Sequence, residues 1–129
     1  MKTVIAEDQA RAEIELWAEF FEVELKELEF QALLPTVMRG RVIFDEVNET
    51  FTITLKSPIH LENDKIVSSL DLREPTAGEL QEANKNKADE LTLAIKLYSK
   101  LSGHPLGVIQ RLKQKDLIAI GEFFGSFFA

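Results

Sequence analysis

The stretch Ile53–Leu80, ITLKSPIHLENDKIVSSLDLREPTAGEL, decides the fold. Its first residues belong to a longer run, Thr50–Lys56, in which Phe51, Ile53 and Leu55 alternate with Thr50, Thr52 and Thr54. A period of two sends one set inward and leaves a threonine face toward water, the pattern of a half-buried strand. Pro58 has no N–H to give to a ladder and is expected to end it. The polar turn Glu62-Asn63-Asp64 leads to another expected strand, Ile66–Leu72. Beyond Pro75, Thr76 and Glu79 have the Thr-x-x-Glu spacing in which a hydroxyl and a carboxylate each satisfy a free backbone N–H, so a helix starts at Thr76. Strand, turn, strand and capped helix, in that order, require a small sheet followed by helices.

Upstream, Val37–Phe44 reads as a strand joined to Thr50–Lys56 through Asp45–Glu49, which makes a hairpin and gives the sheet three antiparallel strands. Further back, Ile14, Trp17, Phe21, Leu25, Leu28 and Ala32 recur at steps of three and four, the helical period. One helix is expected from Asp8 to Leu34, stopped by Pro35. Leu16, Phe20, Val23, Phe30 and Leu34 widen its apolar side, and that width calls for more than one neighbour. Downstream, Glu82–Lys87 is polar and reads as loop. Leu91, Ile95, Tyr98 and Leu101 then form a helical stripe that Gly103 and Pro105 terminate. Two shorter helices complete the chain, Pro105–Leu112 with proline in its first turn and Gln114–Phe128. The expected class is α+β: an N-terminal amphipathic helix, a small antiparallel sheet built of a hairpin plus a third strand, and C-terminal helices. Residues 1–36 read as an acidic helical arm and 37–129 as the domain that follows it.

A chain of 129 residues with 45% hydrophobic and 29% charged residues is long enough and apolar enough to build one core. It contains no cysteine, so disulfides, thiolate metal sites and cysteine nucleophiles drop out together. No run approaches the roughly 18 apolar residues of a membrane span, and the first residues lack the apolar stretch of a secretory signal; a cytoplasmic protein away from membranes is expected. The net charge of −7 is unevenly distributed. Residues 1–36 hold nine acids, from Glu7 to Glu29, against Lys2, Arg11 and Lys26, a local balance of −6 that leaves −1 for the rest. Phosphate backbones repel such a chain, so the expected partners are proteins and not nucleic acids.

The residues of catalysis are present only singly. Neither His60 nor His104 has a second histidine at metal-ligand spacing, no Gly-x-Ser-x-Gly context holds a nucleophile, and the glycines lie one by one at turns and helix ends. The carboxylate pairs Asp45-Glu46 and Asp89-Glu90 have no neighbour in sequence that would separate their pKa values, so no catalytic, cofactor-binding or metal-binding residue is assigned and no enzyme or cofactor is expected. The aromatics are the candidates for partner binding: Trp17, Phe20 and Phe21 in the arm, and Phe123, Phe124, Phe127 and Phe128, which pair at i and i+4 on the last helix. For both groups the competing reading is packing in the protein's own core. A wide apolar arm also favours self-association, so a homo-oligomer is expected.

The ordered combination of these signals, from Thr52 to Phe128, resembles the Mu-like phage tail assembly chaperone family. The resemblance rests on the strand with its Pro-Ile step (Pro58-Ile59), a strand ending in Leu72-Arg73, Pro75-Thr76 before a helix, a helix ending in LSGHP (101–105), the short VIQRL helix (108–112), and the apolar FFGSFF end (123–128). Glu62-Asn63-Asp64 departs from the family's glycine-containing turn, and the arm before Pro35 lies outside the resemblance. What the resemblance implies, for a tail assembly chaperone domain over 37–129, is a non-catalytic phage or prophage protein. It would bind the tape measure protein in the host cytoplasm, keep it soluble while the tail tube polymerises around it, and leave before the virion matures. It also implies contact with the tail tube protein through a longer, frameshifted product. Competing expectations are a permanent structural or adaptor protein of the tail, and an inhibitor whose acidic arm imitates DNA.

Overall fold

The structure is a computed structural model that describes residues 4–85 and 89–129. Two helices, α1 (Glu7–Phe20) and α2 (Glu27–Met38), precede three strands, β1 (Val42–Asp45), β2 (Thr50–His60) and β3 (Ile66–Arg73). Helices α3 (Ala77–Asn84), α4 (Glu90–Ser102), α5 (Leu106–Ile109) and α6 (Gln114–Phe127) follow. The class is α+β as expected, with a meander ordered β1-β2-β3 and both pairings antiparallel.

The single N-terminal helix expected over Asp8–Leu34 is two. After Phe20 the Glu22 N–H donates to the Glu19 carbonyl and the Val23 N–H to the Ala18 carbonyl, the paired bonds that close a helix end around a left-handed residue. That residue is Glu22, with φ of 55°. A glutamate there costs about 1–2 kcal/mol, which is why no glycine announced the break. What offsets it is burial. The chain turns back so that Arg11 of α1 reaches Glu27 of α2 with both guanidinium nitrogens, one at 3.1 Å, and stands 4.3 Å from the centre of the Phe30 ring. Ala10, Ile14 and Trp17 then share one core with Phe30, Leu33, Leu34 and Val37. Helix α2 starts where the Lys26 N–H donates to the Glu29 carboxylate.

Pro35 does not stop α2, which runs on to Met38. The proline faces solvent and leaves one carbonyl of the preceding turn without its N–H, while Leu33, Leu34 and Val37 on the opposite side are almost completely buried. Burial outweighs the missing bond. The first strand accordingly begins at Val42, not at Val37, and α2 carries the chain past residue 36 without a break.

In the sheet Phe44 faces Phe51 across β1 and β2, and Phe51 faces Leu72 across β2 and β3. The alternation of Phe51, Ile53 and Leu55 does point inward, each of them buried. Pro58 was expected to end the ladder, yet β2 continues to His60. Between Thr54, which faces Ser69, and Ile59, which faces Val67, β2 advances five residues while β3 advances two. The proline sits in this bulge, where no ladder bond is asked of it. Asn63 and Asp64 turn the chain toward β3 with φ of 64° and 60°, so they do the work of the glycine the turn lacks.

Thr76 and Glu79 form the capping box, and α3 runs to Asn84, three residues into the segment expected as loop; Asn86 and Lys87 of that segment lie outside the described residues. Gly103, with φ of 75°, closes α4.

Candidate functional site

Five of the seven candidate aromatics surround Phe51, which is fully buried. Trp17, Phe21, Phe123, Phe127 and Phe128 lie with ring centroids 5.3, 5.7, 5.5, 5.1 and 5.9 Å from it. The i, i+4 spacing pairs Phe123 with Phe127 at 6.1 Å and Phe124 with Phe128 at 6.3 Å. Phe124 turns to the other side of α6 and meets Tyr98 edge-on at 5.7 Å. Phe20 packs on Phe44 at 5.1 Å, keeps 36% of its surface exposed, and is the most exposed of this group.

Concave surfaces lie elsewhere. One, of about 370 Å³, is a cleft between α3, α4 and α5, lined by Glu79, Glu82, Ala83, Lys96, Leu97, Ser99, Lys100 and Leu106. Its wall α3 contributes no buried residue to the core. What fixes α3 is polar: Arg73, at the end of β3, grips Glu79 with two nitrogens at 2.7 and 2.6 Å, and the same carboxylate accepts the Thr76 N–H at 2.9 Å. The guanidinium, with the Thr76 N–H next, holds the Glu79 carboxyl at about 2. In sequence Arg73 stands beside Glu74, but its carboxylate partner is Glu79, and only a carbonyl bond at 3.2 Å goes to Glu74. The Thr-x-x-Glu signal identified the cap; the arginine's share needed the fold.

Another is a polar hollow of about 140 Å³ where the end of α2, the outer face of the sheet and the start of α6 meet; Arg39, Arg41, Lys56, Lys115 and Asp116 are among its lining residues. Asp116 is 4% exposed, and its two oxygens accept the N–H groups of Lys56 at 2.7 Å and Ser57 at 2.9 Å. Those are the amides that the bulge frees, so the carboxylate completes a strand that bends. Sequence reasoning missed it because the partners stand about sixty positions apart.

Of the remaining candidates for chemistry, Asp45 and Asp89 hold backbone turns and caps. Asp45 accepts the N–H groups of Val47 and Asn48 in the hairpin turn, and Asp89 caps α4 through the Thr92 N–H at 2.8 Å. Both carboxyls are held below the ordinary aspartate range, Asp45 chiefly by Asn48 and Asp89 by Thr92, which keeps them charged and without a proton to donate. The carbonyls of His60 and His104 accept from Arg111 and Ser99. Among the described residues no group of three or more His, Asp or Glu is arranged to hold a metal ion, and no helix is long and apolar enough to cross a membrane.

A family model described as phage tail assembly chaperone proteins, E, or 41 or 14, matches residues 52–129. No curated protein and no solved structure matches the chain. The matched segment runs from β2 through α6 and covers more than half of the sequence, so the chain belongs to the phage tail assembly chaperone family, whose role lies in assembly and not in catalysis.

Proposed function

From that membership we propose that this protein binds the tape measure protein of its phage, keeps it soluble in the host cytoplasm while tail tube subunits polymerise around it, and departs before the virion is finished. It does so without catalysis and without a cofactor, and it meets the tube protein through a longer, frameshifted product. The observation that carries this reading is the family match, and the α3–α4–α5 cleft lies inside the matched segment. Leu106 is exposed at that cleft, which Ala83 and Leu97 also line, beside the charges of Glu82, Lys96 and Lys100. An apolar floor with charged rims suits one face of an amphipathic helix, and a tape measure protein that is long and helical presents many such faces.

Co-expression with fragments of the tape measure protein, followed by affinity capture, tests the reading. A soluble complex is expected, with Leu106→Glu capturing less, and the chaperone should be absent from purified virions. Its presence in mature tails at constant stoichiometry would replace this reading by that of a structural or adaptor protein. Inhibition of a nuclease by the chain would favour DNA imitation.

A further inference from the structure

The hollow at the start of α6 is basic in a chain of net charge −7. Arg39 and Arg41 have an internal reason to be there, since they follow the C-terminus of α2 and complement its carbonyl dipoles. Lys56 and Lys115 have none. Lys115 stands in the first turn of α6, at the positive end of that helix, where a cation is unfavourable. Its side chain meets that of Lys56, whose ammonium is held below the ordinary lysine range chiefly by Lys115, with desolvation, Arg41 and Arg39 adding to the effect. Among the described residues neither lysine lies within ion-pair distance of a carboxylate. The acid in the hollow, Asp116, spends both oxygens on backbone amides. Exposed isoleucines flank the cations, Ile43 one step along the outer face of β1 from Arg41 and Ile118 one turn along α6 from Lys115.

The complementary surface is on the same chain. Asp8, Ala12, Glu15, Leu16, Glu19 and Phe20 fall on one side of α1 at helical spacing, and all are exposed, Leu16 at 64%. Glu15 approaches Arg11 only at 4.0 Å. One surface thus offers carboxylates beside a leucine and a phenylalanine, and the other offers ammonium groups beside two isoleucines. We propose that the basic hollow of one copy receives the acidic outer face of α1 from a second copy. Such a contact joins two different surfaces, so it is head-to-tail and builds a ring or an open chain of subunits. It does not depend on the tape measure reading, because it needs only this chain.

Sedimentation of the purified full-length protein across a concentration series, at low and at high salt, tests it. Species larger than the monomer are expected, growing with concentration and shrinking with salt. Lys56→Glu with Lys115→Glu should weaken association by at least about tenfold, as should Glu15→Lys with Glu19→Lys. All four positions are exposed apart from the Lys56 amide, so unchanged circular dichroism and thermal midpoint identify variants that remain folded. Mixing the two double variants should restore association, since each reversed surface then finds an opposite charge. A monomeric wild type at every concentration overturns the proposal, as does association indifferent to both reversals. Capture of an acidic tape measure fragment through Lys56 and Lys115 by a chain that stays monomeric overturns it as well, in favour of a client site.

Discussion

Helices α1 and α4 end in the same backbone conformation by opposite means. Gly103 closes α4 with a residue made for a positive φ, and Pro105 follows it. Glu22 closes α1 with a residue that resists one. The contrast runs through the molecule. From Thr76 onward the boundaries are set by local chemistry: the threonine cap at 76, the aspartate cap at 89, the glycine at 103. Before Thr76 the fold overrides the local signals three times, by burial at Glu22 and Pro35 and by the bulge that Asp116 completes at Pro58.

If burial governs the first region, its removal should be felt by the whole chain. Trp17→Ala empties a place in the aromatic cluster around Phe51 and is expected to cost about 3–5 kcal/mol. Chemical denaturation followed by circular dichroism should show one cooperative transition at a lower midpoint. A transition that splits in two, with the later phase unmoved, would mean that residues 1–36 fold as a separate arm.

Pro35→Ala tests the override directly. It returns the N–H that the helix lacks at an exposed position and should raise stability by about 1–3 kcal/mol. A loss instead would show that the proline contributes packing which the solvent-facing position conceals.

The architecture and its class were legible in the sequence because alternation and caps act over a few residues. Phe51, Ile53 and Leu55 needed only a period of two, and Thr76 with Glu79 only a spacing of three. The break at Glu22 was illegible because the residue itself opposes it and the compensation comes from α2, the sheet and α6. Of the candidate residues, sequence periodicity paired the phenylalanines of α6 and turned Phe51 inward, but no local spacing announced that they meet in one cluster. The cleft and the basic hollow collect side chains from separate elements, and no local spacing announces either.

A smaller effect compares the two helix ends on equal terms. Glu22→Gly should stabilise by up to about 1 kcal/mol and Gly103→Ala should destabilise by about 1 kcal/mol or somewhat more, both read from thermal midpoints. Equal and opposite shifts would mean that the two ends differ only in residue choice.

The smallest expected effect is at the cap of α3. The folded Glu79 carboxyl lies at about 2 against an ordinary 4.5, so its contribution is complete above the ordinary value and is lost as pH falls toward 2. Glu79→Gln should therefore cost about 1 kcal/mol near neutral pH and progressively less in acid, measured by denaturation at a series of pH values. A cost independent of pH would assign the effect to shape and not to charge.

The carboxylate of Asp116 also sets an order of events. It closes a loop of about sixty residues onto the bend of β2, a closure that costs about 4 kcal/mol of chain entropy. During synthesis the amides of Lys56 and Ser57 leave the ribosome long before Asp116 does, and they stay hydrated until α6 arrives. The last helix is thus the step that finishes the middle strand, and slow hydrogen exchange at those two amides would date the moment the chain becomes native.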